Sequence, residues 1–117
     1  MKLGVLATVG VVLAGAALAD SAVVTKVDAR KSGETWTFSV TIAHGDTGWE
    51  HYADGWGVYL EDGTELGYRV LHHPHVNEQP FTRSLNGVKV PSDVDRVVIV
   101  PRDSKHGVGE GFVVEIR

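Results

Sequence analysis

The stretch that decides the fold runs from residue 35 to residue 42 and reads TWTFSVTI. Its apolar residues occupy every second position: Trp36, Phe38, Val40 and Ile42. Successive side chains of an extended chain point to opposite faces, so this spacing places the apolar side chains on one face and the hydroxyl-bearing ones on the other. The alternation predicts an antiparallel strand with one face buried and the other turned towards solvent.

Six further short runs of β-forming residues are separated by turn clusters. The runs cover residues 23–29, 56–60, 66–71, 81–85, 94–100 and 112–116. Residues 94–100 are almost continuously apolar, which predicts a central strand covered on both faces, and Asn86-Gly87 predicts a turn. Together the runs predict an all-β, seven-strand antiparallel sandwich of the immunoglobulin-like or fibronectin III-like type. The absence of a cysteine pair favours the fibronectin-like variant.

The N-terminal residues show the three-part pattern of a secretory signal peptide. Lys2 gives a basic start, residues 3–18 are apolar or small, and Ala19 completes a small-residue cleavage site. We therefore expect a helical signal peptide over residues 1–19 and a mature domain over 20–117, located in the periplasm or secreted. A membrane anchor is the disfavoured alternative, because an anchor needs about 20 strongly apolar residues. The run over residues 3–18 is shorter and contains small residues. No cysteine is present, which excludes a lipoprotein anchor, and we expect no stable membrane insertion after cleavage.

Composition narrows the ligands that such an exported domain can use. The 117 residues carry a formal net charge of −4, so nucleic acid is a poor partner. The sequence has no cysteine, and its single methionine is Met1, which leaves with the signal peptide. Histidine and carboxylate are then the strong metal ligands that remain.

All six histidines fall in three of the predicted loops. In a seven-strand sandwich the second, fourth and sixth loops lie at the same end, and here they cover residues 44–55, 72–80 and 101–110. They contain His44, His51, His72, His73, His75 and His106. Several imidazoles at one end of a domain favour binding of Zn, Cu or Ni, and we expect a Cu(II) or Zn(II) ion here.

The ligand set stays open within this group of histidines. His73 and His75 project to the same side of an extended segment, and Pro74 between them stiffens it. A third ligand would come from His44, His51 or His106. The carboxylates near enough to bind the ion, or to accept an imidazole N–H, are Asp46, Glu50, Asp54, Glu78 and Asp103. The alternative is that these histidines bind loop carbonyls and hold the loops together.

Other residues of the same loops suggest a binding role without metal. Trp49 and Tyr52 would form an exposed aromatic patch, which favours recognition of a cell-envelope protein. Arg83 is expected to form a buried ion pair with Glu78 or Asp103. Serine hydrolysis is disfavoured because no nucleophile elbow precedes Ser104, and we expect no enzymatic activity.

One segment carries a resemblance to known proteins. It contains His73-Pro74-His75 and continues as EQPFTRSL over residues 78–85, with Gly48-Trp49 before it and Arg102-Asp103 after it. The chain from about Gly48 onward resembles a group of small exported bacterial proteins of unassigned function. The resemblance implies an exported sandwich and assigns no catalytic residue.

Overall fold

The structure is a computed structural model that describes residues 21–117. The predicted signal peptide lies outside the described residues. Within them there are eight strands: β1 (Val23–Ser32), β2 (Thr35–Ala43), β3 (Ala53–Tyr59), β4 (Glu65–Val70), β5 (Phe81–Val88), β6 (Arg96–Asp103), β7 (Gly107–Val108) and β8 (Phe112–Glu115). No helix in this part of the chain is long and apolar enough to cross a membrane.

The strands form two antiparallel sheets, which confirms the predicted sandwich. One sheet has the order β1-β2-β5, and the other has the order β4-β3-β6 with β7 and β8 both paired to the far edge of β6. The short strand β7 is additional to the seven predicted, and it lies inside the last predicted loop. It forms because Gly107 pairs with Asp103 across a three-residue turn, and Gly107 takes the positive φ of 81° that such a turn requires.

The core confirms the alternation that was used to predict the fold. The four apolar residues of β2 are at most 6% exposed, whereas the intervening residues are half-buried. Trp56 and Val58 of β3 and Ile99 of β6 come from the other sheet and are fully buried. Each large apolar side chain buried in this way contributes about 1.5–3 kcal/mol.

Two details differ from the sequence predictions. In β6 only one face is buried: Val97 and Ile99 lie in the core, whereas Val98 on the opposite face is half-exposed. Asn86-Gly87 does not end its strand but lies inside β5, where the register against β2 shifts. Gly87 has a φ of 70°, so the residues expected to form a turn form an irregularity within the strand instead.

The antiparallel order brings three connections to one end of the sandwich, which we call the histidine pole. It consists of residues 44–52, 71–80 and 104–106, together with Asp103 at the end of β6. Hydrogen bonds join the three segments: Ser104 N–H donates to the Tyr52 carbonyl at 2.9 Å, and His44 N–H donates to Gln79 Oε1 at 2.9 Å. All six histidines lie at this pole.

Candidate metal centre

Asp103, the last residue of β6, is the buried centre of the histidine pole. Its side chain is fully buried. Oδ1 accepts the backbone N–H groups of Lys105 at 2.9 Å and His106 at 2.5 Å, so the turn after β6 folds back onto the carboxylate. A short acidic side chain that accepts N–H groups two and three residues later is a common way to stabilise such a turn. The turn therefore fixes the direction in which Oδ2 points.

Oδ2 of Asp103 faces three imidazole rings. It lies 3.3 Å from His106 Nδ1, 3.4 Å from His44 Nε2 and 3.6 Å from His51 Nε2. The rings also contact one another edge to face, with centroids 4.7 Å apart for His44 and His51 and 4.9 Å apart for His51 and His106. We call these four residues the Asp103 cluster.

His44 is oriented by a second buried carboxylate. Its Nδ1 lies 2.5 Å from Asp46 Oδ1, and both side chains are fully buried. A hydrogen bond from Nδ1–H to this carboxylate assigns the tautomer in which Nε2 carries the lone pair. Nε2 is buried, lies beside Asp103, and has no hydrogen-bond partner among the described residues. A carboxylate on one nitrogen and an available lone pair on the other is the usual arrangement of a metal-binding histidine.

Asp46 also fixes the surrounding loops. Its Oδ1 accepts the N–H of Ala53 at 3.1 Å, and its Oδ2 accepts the N–H of His75 at 2.7 Å. One carboxylate therefore joins the His44 ring, the start of β3 and the segment before β5. This fixes the position of His44 before any ligand arrives, which reduces the cost of ordering the site.

His51 is placed by a tight turn at the tip of the first loop. Its N–H donates to the Gly48 carbonyl at 3.2 Å, and its carbonyl accepts the N–H of Thr47 at 3.0 Å. The side chain of His51 is 15% exposed, that of His106 is 37% exposed, and those of His44 and Asp103 are fully buried. The cluster therefore opens to solvent on the His106 side.

The electrostatics of the cluster favour an ionised Asp103. Burial by itself raises the pKa of this carboxyl group, but the N–H groups of His106 and Lys105, the His106 ring and the nearby His44 act in the opposite direction. The net result is a pKa below the ordinary value of an aspartate. A charged carboxylate is the form that binds a cation.

The spacing in the cluster matches that of ligands around one ion. One ligand atom from each of His44, His51 and Asp103 lies within 4.8 Å of the others. Two ligand atoms held at 2.0–2.1 Å from a tetrahedral zinc ion are separated by about 3.3 Å. The distances of 3.4 and 3.6 Å from Asp103 Oδ2 to the two Nε2 atoms are close to that value. Small movements of these side chains would complete a three-ligand site.

His73 and His75, which the sequence suggested as the first ligand pair, have different surroundings. Their rings are 4.9 Å apart, and the His75 ring stacks on Phe81 at 3.9 Å. Arg83 Nη2 donates to His75 Nε2 at 3.0 Å, so a guanidinium cation occupies the position beside that lone pair. Burial, followed by the charges of Arg83 and His73, lowers the pKa of His75. The structure therefore holds His75 as a neutral acceptor for Arg83.

The remaining predicted residues lie around the two histidine groups. Arg83 reaches Glu78 at 3.5 Å, but the Arg83 side chain is 31% exposed and that of Glu78 is 59% exposed, so the expectation of a buried ion pair was wrong. Asp54 pairs with Arg102 of the neighbouring strand β6. Trp49 is 66% exposed and contacts Tyr52 edge to face, with ring centroids 5.6 Å apart.

Sequence reasoning did not single out Asp46 from the other acidic residues of the pole. Residues 44–46 form a tight turn in which the Asp46 N–H donates to the His44 carbonyl at 2.9 Å. The alternation of side chains along an extended strand does not predict this pairing.

The chain is similar to a protein of Halomicrobium mukohataei that carries the name "Putative lipoprotein". The two are 42% identical over 84 residues, which is 71% of this chain and 41% of the relative. This chain therefore spans less than half the length of that relative. No family model matches the chain, and no solved structure matches it.

Proposed function

We propose that this chain is an exported β-sandwich binding module that holds a divalent transition metal, Zn(II) or Cu(II), in the Asp103 cluster. The observation that carries the proposal is the buried His44 Nε2, which has no hydrogen-bond partner among the described residues, faces Asp103 and is oriented through Nδ1 by Asp46. Leaving such a buried nitrogen unpaired costs about 1–3 kcal/mol, and a bound ion would remove that cost.

The donor set suits these ions. His44 and His51 supply imidazole nitrogens and Asp103 supplies a carboxylate oxygen, which are the ligand types that Zn(II) and Cu(II) accept in the absence of thiolates. Asp46 acts behind His44 as the hydrogen-bond acceptor that such ligands require. The proposed role is binding, without catalysis.

Export is supported by two independent features. Residues 1–19 have the pattern of a signal peptide, and the relative from Halomicrobium mukohataei is named as a lipoprotein. This chain contains no cysteine to which a lipid could be attached. We therefore propose a cell-envelope or secreted location.

Titration calorimetry with Zn(II) and with Cu(II) tests the metal site. The purified protein is expected to bind one ion, and His51→Ala is expected to weaken binding by at least about 100-fold, since a ligand should matter more than its supporting residues. His73→Ala is the matched control, because it removes an exposed histidine of the same pole, and it should bind as tightly as the unmodified protein. Absence of saturable uptake at micromolar metal, or equal loss in both variants, would overturn the proposal.

A second candidate function is favoured by Trp49. An indole that is 66% exposed beside Tyr52 is a suitable anchor for a protein partner, since Trp and Tyr are enriched among the residues that dominate binding energy. Cross-linking in envelope extracts tests this role. A partner captured by the unmodified chain and lost with Trp49→Ala would support it, whereas capture that is insensitive to this change would count against it.

A further inference from the structure

The proposed ion would have fewer protein ligands than a closed site requires. His44, His51 and Asp103 place one donor atom each within a common 4.8 Å. Structural zinc sites have four protein ligands, whereas sites with three keep a water or another exogenous molecule in the fourth position. The number of donors therefore decides whether the ion is sealed or accessible.

His106 is the residue that could close the site, but its contacts assign it a different role. Its Nδ1 lies 3.3 Å from Asp103 Oδ2, and its backbone N–H donates to Oδ1 of the same carboxylate. A ring nitrogen that donates to a metal-binding carboxylate fixes that ligand rather than binding the ion. His106 is thus a positioning residue for Asp103.

The direction of the opening follows from the burial of the four side chains. His44 and Asp103 are fully buried, and exposure increases through His51 to His106. The His106 side is therefore the most open approach to the ion. Asp103 is the carboxylate in contact with the divalent ion, whereas Asp46 lies behind His44, away from the opening. The ion therefore presents positive charge on the side of the opening, which attracts a small anion.

We infer that the ion in the Asp103 cluster keeps one coordination position open beside His106 and takes a small anion there. This inference rests on the proposed metal site. The anion would replace a water molecule on the ion, with no change in the three protein ligands and no redox step. His106 would remain hydrogen-bonded to Asp103 in both states.

Cobalt(II) with azide as the added anion tests the inference, because the visible bands of Co(II) respond to ligand number and type. The Co(II)-loaded protein is expected to change its visible spectrum in a saturable way as azide is added. His106→Ala is expected to keep Co(II) and the azide response, with Co(II) affinity reduced about 10-fold to 100-fold. His106→Gln, whose amide can still donate to Asp103, should recover part of that affinity.

The outcomes separate the two proposals. If the unmodified protein takes up no Co(II), both the metal site and the open position are overturned. If it binds Co(II) but azide leaves the spectrum unchanged, the site is closed and this inference is wrong while the metal site stands. If His106→Ala loses Co(II) altogether while circular dichroism shows a folded domain, His106 is the fourth ligand, and the inference is again overturned.

Discussion

The histidine pole contains two groups of imidazoles with opposite surroundings. In the Asp103 cluster, three rings surround one buried carboxylate, and a second carboxylate, Asp46, holds His44 from behind. At the other group, His75 stacks on the ring of Phe81 and accepts a hydrogen bond from the guanidinium of Arg83, with His73 beside it. Both groups would be called histidine-rich from the sequence alone.

The difference shows that the neighbours of an imidazole decide its chemistry. Buried carboxylates favour a cation between them, and a carboxylate on Nδ1 leaves the lone pair on Nε2 available. A guanidinium that donates to Nε2 uses that lone pair and repels a second cation. The metal hypothesis therefore moves from the His73 and His75 pair to the Asp103 cluster.

Removal of the Asp103 carboxylate should have the largest effect on the free energy of unfolding. Asp103→Ala leaves two backbone N–H groups and the His106 ring without their acceptor, and we expect it to lower the free energy of unfolding by about 3–5 kcal/mol. Arg83→Ala, which breaks the partly exposed contact with His75, should cost about 1 kcal/mol or less. Urea denaturation of both variants without metal measures the contrast, and a smaller loss for Asp103→Ala would contradict the assigned role of the cluster.

Asp46 should contribute less than the ligands but still measurably to metal affinity. Asp46→Asn keeps the shape of the side chain and removes the charge that supports His44, so we expect zinc affinity to fall about 10-fold to 100-fold. Asp54→Asn is the control, because it also removes an aspartate charge, at a residue that pairs with Arg102. Competition with a zinc-sensitive dye gives both affinities. Equal affinities in the two variants would exclude a supporting role for Asp46.

The His75 group should contribute a dependence of stability on pH. The folded state lowers the pKa of His75 below its ordinary value of 6.5, so the unfolded state binds more protons. The free energy of unfolding therefore falls as the pH decreases below about 6.5. His75→Asn should reduce the slope of unfolding free energy against pH, whereas Asn77→Ser in the same loop should leave it unchanged. An unaltered slope in His75→Asn would show that His75 does not titrate in this way.

The exposed contact between Arg83 and Glu78 should have the smallest effect. Its atoms are 3.5 Å apart at the surface, so Glu78→Gln is expected to change the free energy of unfolding by less than about 0.5 kcal/mol, and by less still in high salt. Thermal denaturation at low and high ionic strength measures this. A loss above about 1 kcal/mol would mean that the ion pair is far stronger than its exposure implies.

The fold could be predicted because its signal is local. Alternation at Trp36, Phe38, Val40 and Ile42 specifies both the strand and its buried face, and the order of strands then brings the histidine loops to one pole. The conformation of residues 86 and 87 was harder to predict, because whether Asn-Gly forms a turn or an irregularity within a strand depends on pairing with β2.

The site could be predicted only in part, because side-chain direction in loops depends on distant residues. Sequence reasoning named His44, His51, His106 and Asp103 as candidate ligands, but it expected His73 and His75 to form the first ligand pair. The structure disfavours that pair because Arg83, ten residues after His73 and within β5, donates to His75. Such a contact leaves no periodic pattern in the sequence. The pairing of His44 with Asp46 likewise depends on a turn at Gly45, which the alternation of extended strands does not predict.

Anomalous diffraction from crystals of the protein grown with Zn(II) tests the central claim most directly. A single strong peak is predicted at about 2.0–2.2 Å from His44 Nε2, His51 Nε2 and Asp103 Oδ2. A peak on His73 or His75, or no peak at the Asp103 cluster with zinc at millimolar concentration, would contradict the claim.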